Sequence, residues 1–325
     1  MSSPSPSSAA RSSAPRQVPG GPLCLVLNAA SGHGEAGAAV AEIEQACAAA
    51  GRTLQVFAID KRHPPQQQAG AAVAAAQAGG GIVGVAGGDG TINTVAQATL
   101  GSGCAFGVLP QGTFNYFARN HGIPTEMEGA LRVLLSQPPQ PVQVGLVNDR
   151  VFLVNASLGV YAQLLEDREA FKSRYGRNRF VAFGAALRTL FGQHRPWDLR
   201  LAWGGEVHSL RTASLFVGNN ALQFEQVGVA EGEALEGGSL VAVLVRPMHR
   251  LARLGLLLRG AASRLDDAEK VQTLSFRSLD VAPSRGALRR RVKVATDGEV
   301  GFMQMPLRFR VAPEPLWLIR PPAVA

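Results

Sequence analysis

The stretch from Ile82 to Gln97, with the sequence IVGVAGGDGTINTVAQ, limits what this chain can fold into more than any other segment. It opens with the β-branched run Ile82–Val85, which is typical of a buried strand. Three glycines, an acid and a threonine follow at Gly87–Thr91, and apolar residues then recur at helical spacing from Ile92 onward. The pattern predicts a strand, a glycine loop and a helix in direct succession.

The glycine loop has the composition of a phosphate-binding site. Glycine lets backbone N–H groups come close to a ligand, and the helix that follows directs its partly positive N-terminus at the same point. Asp89 would repel a bare phosphate, but its carboxylate suits a phosphate that is carried with Mg²⁺. The alternative is a tight turn that needs glycine only for its backbone angles, and the combination of residues favours phosphate binding.

The first third of the chain continues this alternation of strand and helix. Strands separated by helices of this length indicate right-handed crossovers and a parallel sheet with helices on both faces. Ligands of such sheets bind beyond the carboxyl ends of the strands, where we expect three loops, Asn28–Gly34, Gly87–Thr91 and Pro110–Asn115. The predicted strands are Leu23–Leu27, Leu54–Ile59, Ile82–Val85 and Ala105–Leu109, and helices are predicted at Glu35–Ala50, at Gln66–Ala78 and after Thr91.

The loop after the first strand also offers a competing interpretation. Gly32, Gly34 and Gly37 spell GxGxxG, and Asp60 closes the second strand, where an acid would bind the ribose of a dinucleotide in a dehydrogenase. However, the four residues Asn28–Ser31 separate the strand from the first glycine, whereas that fingerprint normally begins almost at once. The second glycine loop would also have no role in a dehydrogenase, so the sequence disfavours the dehydrogenase interpretation.

Beyond Leu135 the sequence changes character. Gln137–Pro141 is a proline-rich joint, and short apolar runs alternating with turn residues follow it, a pattern that favours an antiparallel sandwich. We therefore expect a disordered tail over 1–22, a nucleotide-binding α/β domain over 23–140, and a β-sandwich substrate domain over 141–325 whose last residues could pack on the first domain. The short runs are Val142–Val147, Val151–Ala156, Leu199–Trp203, Ser214–Val217, Leu240–Val245, Val271–Phe276, Val292–Ala295 and Leu307–Val311.

Two basic segments of the second half each allow two interpretations. Tyr175–Phe191 predicts an amphipathic helix with arginines beside its apolar face, which favours packing on its own sheet and also suits an interface with anionic lipid. Arg289–Arg291 and Lys293 form a basic run. That run is either a solvated edge strand whose charges block aggregation or a contact for anionic headgroups.

The composition narrows the classes of partner. The net charge of +8 favours polyanionic partners. However, only 6% of residues are aromatic, and arginines do not alternate with aromatic residues as they do in proteins that bind single-stranded nucleic acid. No nucleic-acid partner is therefore expected. Three widely spaced cysteines indicate buried thiols in a reducing, cytoplasmic compartment. No apolar run is long enough to span a bilayer, and neither a GxxxxGK loop nor an HExxH pair occurs.

Several motifs together resemble one known family. The GGDGT loop at Gly87–Thr91 and the segment PQGTFNYFAR at Pro110–Arg119 are similar to motifs of the catalytic domain shared by diacylglycerol kinases, sphingosine kinases and bacterial lipid kinases. The segments LVLNAASGHG at Leu25–Gly34, VNASLGV at Val154–Val160 and TDGE at Thr296–Glu299 follow the family's order. GGDGT alone is shared with NAD kinases and phosphofructokinases, but the set of motifs is specific and extends from about Leu23 to about Arg320.

The resemblance implies an N-terminal domain like the parallel-sheet domain of NAD kinases and phosphofructokinases, a C-terminal β-sandwich, and ATP with Mg²⁺ between them. It implies transfer of the γ-phosphoryl group to a lipid hydroxyl, with diacylglycerol-like lipid as the first candidate. The family's general base corresponds to Glu299, with Asp297 beside it, and Asp60 is an adenosine-side candidate. The ATP-site residues implied are Asn28, Gly87, Gly88, Asp89, Gly90, Thr91, Ile92, Asn93, Gly112, Thr113 and Asn115.

The chain departs from the family pattern at two positions. Tyr116 stands where many relatives have aspartate, and Gly237 stands where the family's second domain often has an acid for a structural Mg²⁺. The metal ligands are therefore not assigned. A soluble NAD kinase and a noncatalytic lipid or nucleotide sensor remain as competing hypotheses. The family also implies a cytoplasmic protein in lipid metabolism with peripheral contact at the inner face of the membrane.

Overall fold

The structure, a computed structural model, describes residues 20–28, 36–159, 196–221, 224, 235, 237–247, 271–284 and 291–322. The helix predicted at Tyr175–Phe191 and nearly all of the predicted tail lie outside these ranges. The first part alternates strands and helices as predicted. Its elements are β1 (Leu23–Asn28), α1 (Ala36–Ala49), β2 (Leu54–Ile59), α2 (Pro65–Gly79), β3 (Ile82–Gly87), α3 (Asp89–Thr99), β4 (Ala105–Pro110), α4 (Tyr116–Asn120) and α5 (Met127–Ser136).

The first four strands form a parallel sheet in the order β2-β1-β3-β4. This arrangement confirms the predicted α/β fold of the N-terminal part. Gly87 at the end of β3 pairs with Pro110 at the end of β4. Since both strands end at the same edge, the loops that follow them lie side by side.

Two strands from distant parts of the chain complete this sheet. β18 (Leu316–Ile319) pairs in parallel with β4 and antiparallel with β5 (Pro139–Val142), which forms the sheet edge. The interpretation of Gln137–Pro141 as a joint is therefore wrong for its last three residues. An edge strand tolerates proline because one side of its backbone has no partner strand, so the prolines did not exclude a strand here.

The second half contains two six-stranded antiparallel sheets, which confirms the predicted β-sandwich. One has the order β10-β9-β14-β17-β6-β7 and the other β13-β12-β11-β8-β15-β16. Buried side chains of both sheets, such as Leu199 and Phe309 from the first and Leu215 and Val292 from the second, form one core. The strands are β6 (Gly145–Val147), β7 (Arg150–Phe152), β8 (Asn155–Gly159), β9 (Trp197–Trp203), β10 (Glu206–Thr212), β11 (Ser214–Gly218), β12 (Leu240–Val245), β13 (Val271–Phe276), β14 (Ser278–Pro283), β15 (Arg291–Thr296), β16 (Glu299–Gln304) and β17 (Leu307–Val311).

Some predicted strands have different limits in the structure. The run Val151–Ala156 is divided between β7 and β8, which belong to different sheets. The chain changes sheet at Leu153 and Val154, whose backbone N–H groups donate to the carboxylate of Asp297 instead of to a neighbouring strand. Hydropathy does not reveal this break, because all the residues around it are buried.

Within the sandwich, the sequence prediction missed β10, β14 and β16. β10 and β16 are edge strands, and most of their side chains are exposed or half-buried, so they lack the apolar run that marks an interior strand. β14 follows β13 after the single residue Arg277, and the chain changes sheet there. Strand-forming residues continue through this position, so the sequence pattern does not reveal that the chain passes from one sheet to the other.

The three cysteines are buried free thiols, as the sequence indicated. Burial raises the pKa of Cys24 to about 11, and the nearby Cys104 adds to this effect. Such a thiol is protonated at neutral pH and serves as an apolar packing group. Among the helices that the structure describes, none is long and apolar enough to cross a membrane.

The environment of His121 predicts that the stability of the fold falls in acid. Burial lowers the pKa of His121 to about 3, the charge of Arg320 acts in the same direction, and the buried Nδ1 atom has no hydrogen-bond partner. Because the unfolded chain binds a proton at this residue below about pH 6.5, stability falls as the pH falls from there. We expect the unfolding free energy to fall by about 2 kcal/mol between pH 7 and pH 5 because of this histidine.

Urea unfolding at both pH values tests the His121 prediction. His121→Gln should lose this part of the pH dependence, whereas His63→Gln, which alters an exposed histidine, should keep the wild-type slope. An unchanged slope in His121→Gln would show that another group causes the acid sensitivity.

Candidate active site

The glycine loop predicted to bind phosphate connects β3 to α3. Gly88 precedes the helix in an extended conformation, and a Cβ atom on Gly87 would lie 2.9 Å from Cβ of Thr91. The Asn28 side-chain amide, at the end of β1, donates to the Thr91 hydroxyl at 3.2 Å. The first turn of α3 is therefore held against the end of β1, and its backbone N–H groups face the carboxyl edge of the sheet.

The second loop, Gly112–Asn115, lies directly against the first. The Gln111 N–H donates to the Gly87 carbonyl at 2.9 Å, and a Cβ on Gly112 would lie 2.9 Å from the Gly88 Cα atom. Asn115 adopts a positive φ of 50°, and its side chain exchanges hydrogen bonds with the N–H and carbonyl groups of Gly112. Glycine is required where the two backbones touch, and together the loops form a two-walled cradle.

Asp89 links the two loops. Its carboxylate accepts backbone N–H groups of Tyr116 and Phe117, both at 3.4 Å, at the start of α4. Burial raises the pKa of Asp89, while these N–H groups act in the opposite direction. The predicted role of Asp89 in loop geometry agrees with these contacts, and its predicted role toward Mg²⁺ stays a prediction.

Glu299 reaches the first turn of α3 from the far end of the chain. Asp297 and Gly298 form a turn with φ values of 48° and 89°, the geometry of a tight hairpin, and Glu299 begins β16 directly after it. Glu299 Oε1 lies only 2.9 Å from where a Cβ on Gly90 would stand. Its other oxygen accepts from Arg150 Nη2 at 3.2 Å, and the side chain is 56% exposed. The carboxylate of Glu299 is therefore partly exposed beside the first turn of α3.

Asp297 has a different environment from Glu299. Its carboxylate accepts the N–H groups of Leu153, Val154 and Asn155 at 2.7 to 2.9 Å and the Asn93 amide at 2.6 Å. Burial raises the pKa of Asp297 to about 6, and the four hydrogen bonds lower it. These contacts join α3 of the first domain to the sandwich, which favours a positioning role over direct contact with substrate.

The remaining predicted site residues, Thr113, Ile92 and Asp60, have three different environments. Thr113 is exposed within the cradle wall, whereas Ile92 is fully buried in the core behind it and holds α3 in place. Asp60 lies at the end of β2, the outer strand of the sheet, and accepts N–H groups of Arg62 and His63 within its own turn. The structure therefore brings Asp60 into contact with neither glycine loop, and its adenosine role stays a prediction.

Sequence reasoning missed three side chains that contact Glu299 or connect the two domains. Arg150 forms an ion pair with Glu299. The Gln97 side chain donates to the Asp149 carbonyl and accepts from the Val151 N–H group. Asn220 donates to the Tyr116 carbonyl. Each contact connects the two domains or holds the predicted base. They join residues 52 to 149 positions apart, and no local pattern of one sequence marks them.

No metal centre is evident in the part of the chain that the structure describes. Within those ranges, no group of three His, Cys, Asp or Glu side chains is close enough to hold an ion. Gly237 lies in a turn just before β12, and Asp89 is the one carboxylate within the two loops Gly87–Thr91 and Gly112–Asn115. Any Mg²⁺ in the cradle would therefore depend on the phosphates that accompany it as well as on Asp89.

Comparison with known protein families gives a match in the part of the chain that contains the two-walled cradle. Residues 22–147 match the model of the diacylglycerol kinase catalytic domain. The matched range contains β1 to β6 and therefore both glycine loops, while Asp297 and Glu299 lie beyond it.

Two curated proteins are similar to part of this chain. A diacylglycerol kinase of Staphylococcus aureus is 30% identical over 178 residues, covering 53% of this chain and 55% of that protein. A protein of Klebsiella pneumoniae named "Probable lipid kinase YegS-like" is 36% identical over 102 residues, covering 30% of this chain and 34% of that one. The chain thus matches these relatives over about half of their length or less.

A solved structure extends the likeness to both domains. The crystal structure of a diacylglycerol kinase from Bacillus anthracis str. Sterne superposes with a TM-score of 0.68 and covers 93% of this chain and 97% of that one. Sequence identity is only 20%, so this likeness concerns the fold. The α/β fold and the sandwich fold therefore occur together in a known structure.

Proposed function

We propose that this protein is an ATP-dependent lipid kinase that transfers the γ-phosphoryl group to a hydroxyl of a diacylglycerol-like lipid. The observation that carries the proposal is the carboxylate of Glu299 against Gly90, in the first turn of the helix that follows the glycine loop. A phosphate cradle and a carboxylate base are the two elements that transfer to an alcohol requires. Matches to proteins named diacylglycerol kinase and lipid kinase support the same class of reaction.

In the proposed mechanism, the backbone N–H groups of the cradle hold the phosphates of ATP and neutralise their charge. Mg²⁺ bound with ATP would supply further charge neutralisation, and Asp89 is its candidate carboxylate ligand. Glu299 accepts the proton of the lipid hydroxyl as that oxygen attacks the γ-phosphorus. The bond between the γ-phosphorus and the β–γ bridging oxygen breaks, and ADP leaves. Arg150, bonded to the second oxygen of Glu299, limits the orientations of this carboxylate.

Two contacts support a fixed distance between cradle and base. Asn93 of α3 donates both to the Val151 carbonyl and to Asp297, and Asp297 lies two residues before Glu299. The helix that carries Gly90 is thereby attached to the hairpin that carries Glu299. Phosphoryl transfer depends mainly on positioning, and such an attachment serves that need.

The proposal is tested with the purified full chain, ATP labelled in the γ-phosphoryl group, and a panel of lipids in mixed micelles. We expect label on diacylglycerol-like lipid, separated by chromatography from remaining ATP. Label on NAD in a lipid-free reaction would instead identify the soluble NAD kinase, which shares this fold and loop. Transfer to none of the panel would favour the noncatalytic sensor, and an absorbance change with a nicotinamide cofactor would identify the dehydrogenase.

A substitution at the touching glycines tests the cradle. The methyl group of Gly112→Ala would lie 2.8 Å from Asn115 Oδ1 and 2.9 Å from the Gly88 Cα atom, so the two loops must separate. Overpacking of this kind costs about 1 to 3 kcal/mol, and we expect about tenfold weaker binding of Mg²⁺-ATP by calorimetry.

Gly70→Ala is the matched control for the cradle, because a Cβ at this α2 position meets nothing within 4 Å. It should leave nucleotide affinity unchanged. Equal affinities in Gly112→Ala and wild type would show that the nucleotide does not depend on contact between the loops.

A further inference from the structure

The hairpin that carries Glu299 has a second face whose chemistry the proposed reaction does not use. β15 and β16 pair antiparallel, with Lys293 opposite Phe302 and Arg291 opposite Gln304. Side chains alternate between the faces of a sheet, so these four residues share one face. Val292 and Val294 point the other way, into the sandwich core.

An aromatic ring with two cations stands at the centre of this face. Phe302 is 59% exposed. Arg291 Cζ lies 4.9 Å and Lys293 Nζ 5.8 Å from the centroid of its ring. We call Arg291, Lys293 and Phe302 the cationic aromatic face.

Protection of an edge strand explains only part of this arrangement. β16 is the outer strand of its sheet, and charges there discourage pairing with other proteins. Lysine and arginine suffice for that purpose, whereas an exposed phenylalanine opposes it by offering apolar area for association. The remaining side chains that the register places on this face, Ala295, Val300 and Gln304, carry no negative charge.

We propose that the cationic aromatic face docks on an anionic lipid bilayer. A ring flanked by basic side chains is the combination that binds the membrane interface, because the ring enters the boundary of the acyl chains while the cations meet lipid phosphates. The net charge of +8 strengthens attraction to such a surface. The face holds both an apolar and an electrostatic contribution, and membrane attachment generally needs two such signals.

The docked hairpin would also deliver substrate, a part of the inference that rests on the proposed lipid kinase activity. Phe302 follows Glu299 by three residues on the same strand, a distance of about 10 Å. An odd separation directs the two side chains to opposite faces, so the ring contacts lipid while Glu299 faces α3. A lipid headgroup that moves from the bilayer past the edge strand β16 would reach the carboxylate of Glu299.

Vesicle co-sedimentation tests the surface independently of catalysis. The full chain is mixed with vesicles of phosphatidylcholine alone or with one third phosphatidylglycerol, at low and high salt. We expect the wild type to bind the anionic vesicles in a salt-sensitive way. Phe302→Ala should weaken this binding about tenfold, and Arg291→Gln and Lys293→Gln about fivefold each.

Val207→Ala is the matched control, because Val207 is 61% exposed on the edge strand β10 and lies between Glu206 and His208. It should bind vesicles as the wild type does. Binding by Phe302→Ala and Lys293→Gln equal to the wild type would overturn the proposal. Loss of self-association in these variants, with vesicle binding intact, would assign the face to a second copy of the chain instead.

The two proposals can fail separately. With a short-chain diacylglycerol presented below its critical micelle concentration, Phe302→Ala should phosphorylate substrate at the wild-type rate, and with anionic vesicles it should be slower. If the wild type phosphorylates no lipid but shows the expected vesicle binding, the kinase proposal fails and the docking surface stands. If activity on vesicles is equal in the wild type and Phe302→Ala, the delivery role fails.

Discussion

Replacing Glu299 by glutamine is expected to lower phosphoryl transfer to lipid by about 100-fold to 10,000-fold. Glutamine keeps the size of the side chain and its contact with Gly90, but its amide does not accept the proton of the attacking hydroxyl. Folding should change little, because the Glu299–Arg150 pair is about half exposed and such pairs contribute about 1 kcal/mol or less. Nucleotide affinity should also persist, since the cradle is built by the two glycine loops.

Initial rates with labelled ATP and diacylglycerol, together with nucleotide binding by calorimetry, measure these two effects. Glu206→Gln is the matched control, because Glu206 also begins the second strand of a hairpin after a glycine turn but pairs with His208, away from the cradle. Its rate should equal that of the wild type. Full turnover by Glu299→Gln would remove Glu299 as the base and leave the carboxylate as a neighbour of α3 only.

Replacing Asp297 by alanine is expected to lower the unfolding free energy by about 3 to 5 kcal/mol. The change leaves three backbone N–H groups and the Asn93 amide without their acceptor inside the protein. Buried donors without partners are costly because water cannot reach them. The same change detaches α3 from the hairpin of Glu299.

Urea unfolding near neutral pH measures this loss. Asp280→Ala is the control, since Asp280 is also a sandwich aspartate but is about half exposed in a surface pair with Arg308. It should change stability by about 1 kcal/mol or less. A different result, in which Asp297→Ala unfolds like the wild type yet has lost turnover, would support direct catalysis by Asp297 and contradict the positioning role.

The loops of the cradle could be located from sequence because their signals are local. Gly87–Thr91 lies between an apolar run and a helical repeat, and Gly112–Asn115 follows the next strand. In a parallel sheet, consecutive strand ends meet at one edge, so two local patterns predict one composite site. The observed bond from Gln111 to Gly87 is the contact that this rule leads one to expect.

Residues far apart in sequence required the tertiary structure. The DGE motif marks Asp297 and Glu299 equally, yet one carboxylate is buried under four donors and the other is exposed beside Arg150. Asp297 lies in the hairpin turn with a positive φ, whereas Glu299 is the first residue of β16, so the turn places the two carboxylates in different surroundings. Burial and partner, which decide the chemistry of a carboxylate, are properties of the packed state.

The sequence by itself determined the glycine loop of Ile82–Gln97, the parallel sheet around it and the change to antiparallel strands in the second half. These features follow from periodicity and backbone freedom, which act over a few residues. Only the tertiary structure decided that β18 pairs between β4 and β5, that Asn93 holds Asp297, and that Phe302 stays exposed between two cations. Each of these depends on which distant surfaces bury one another, and one sequence does not encode that choice in any local pattern.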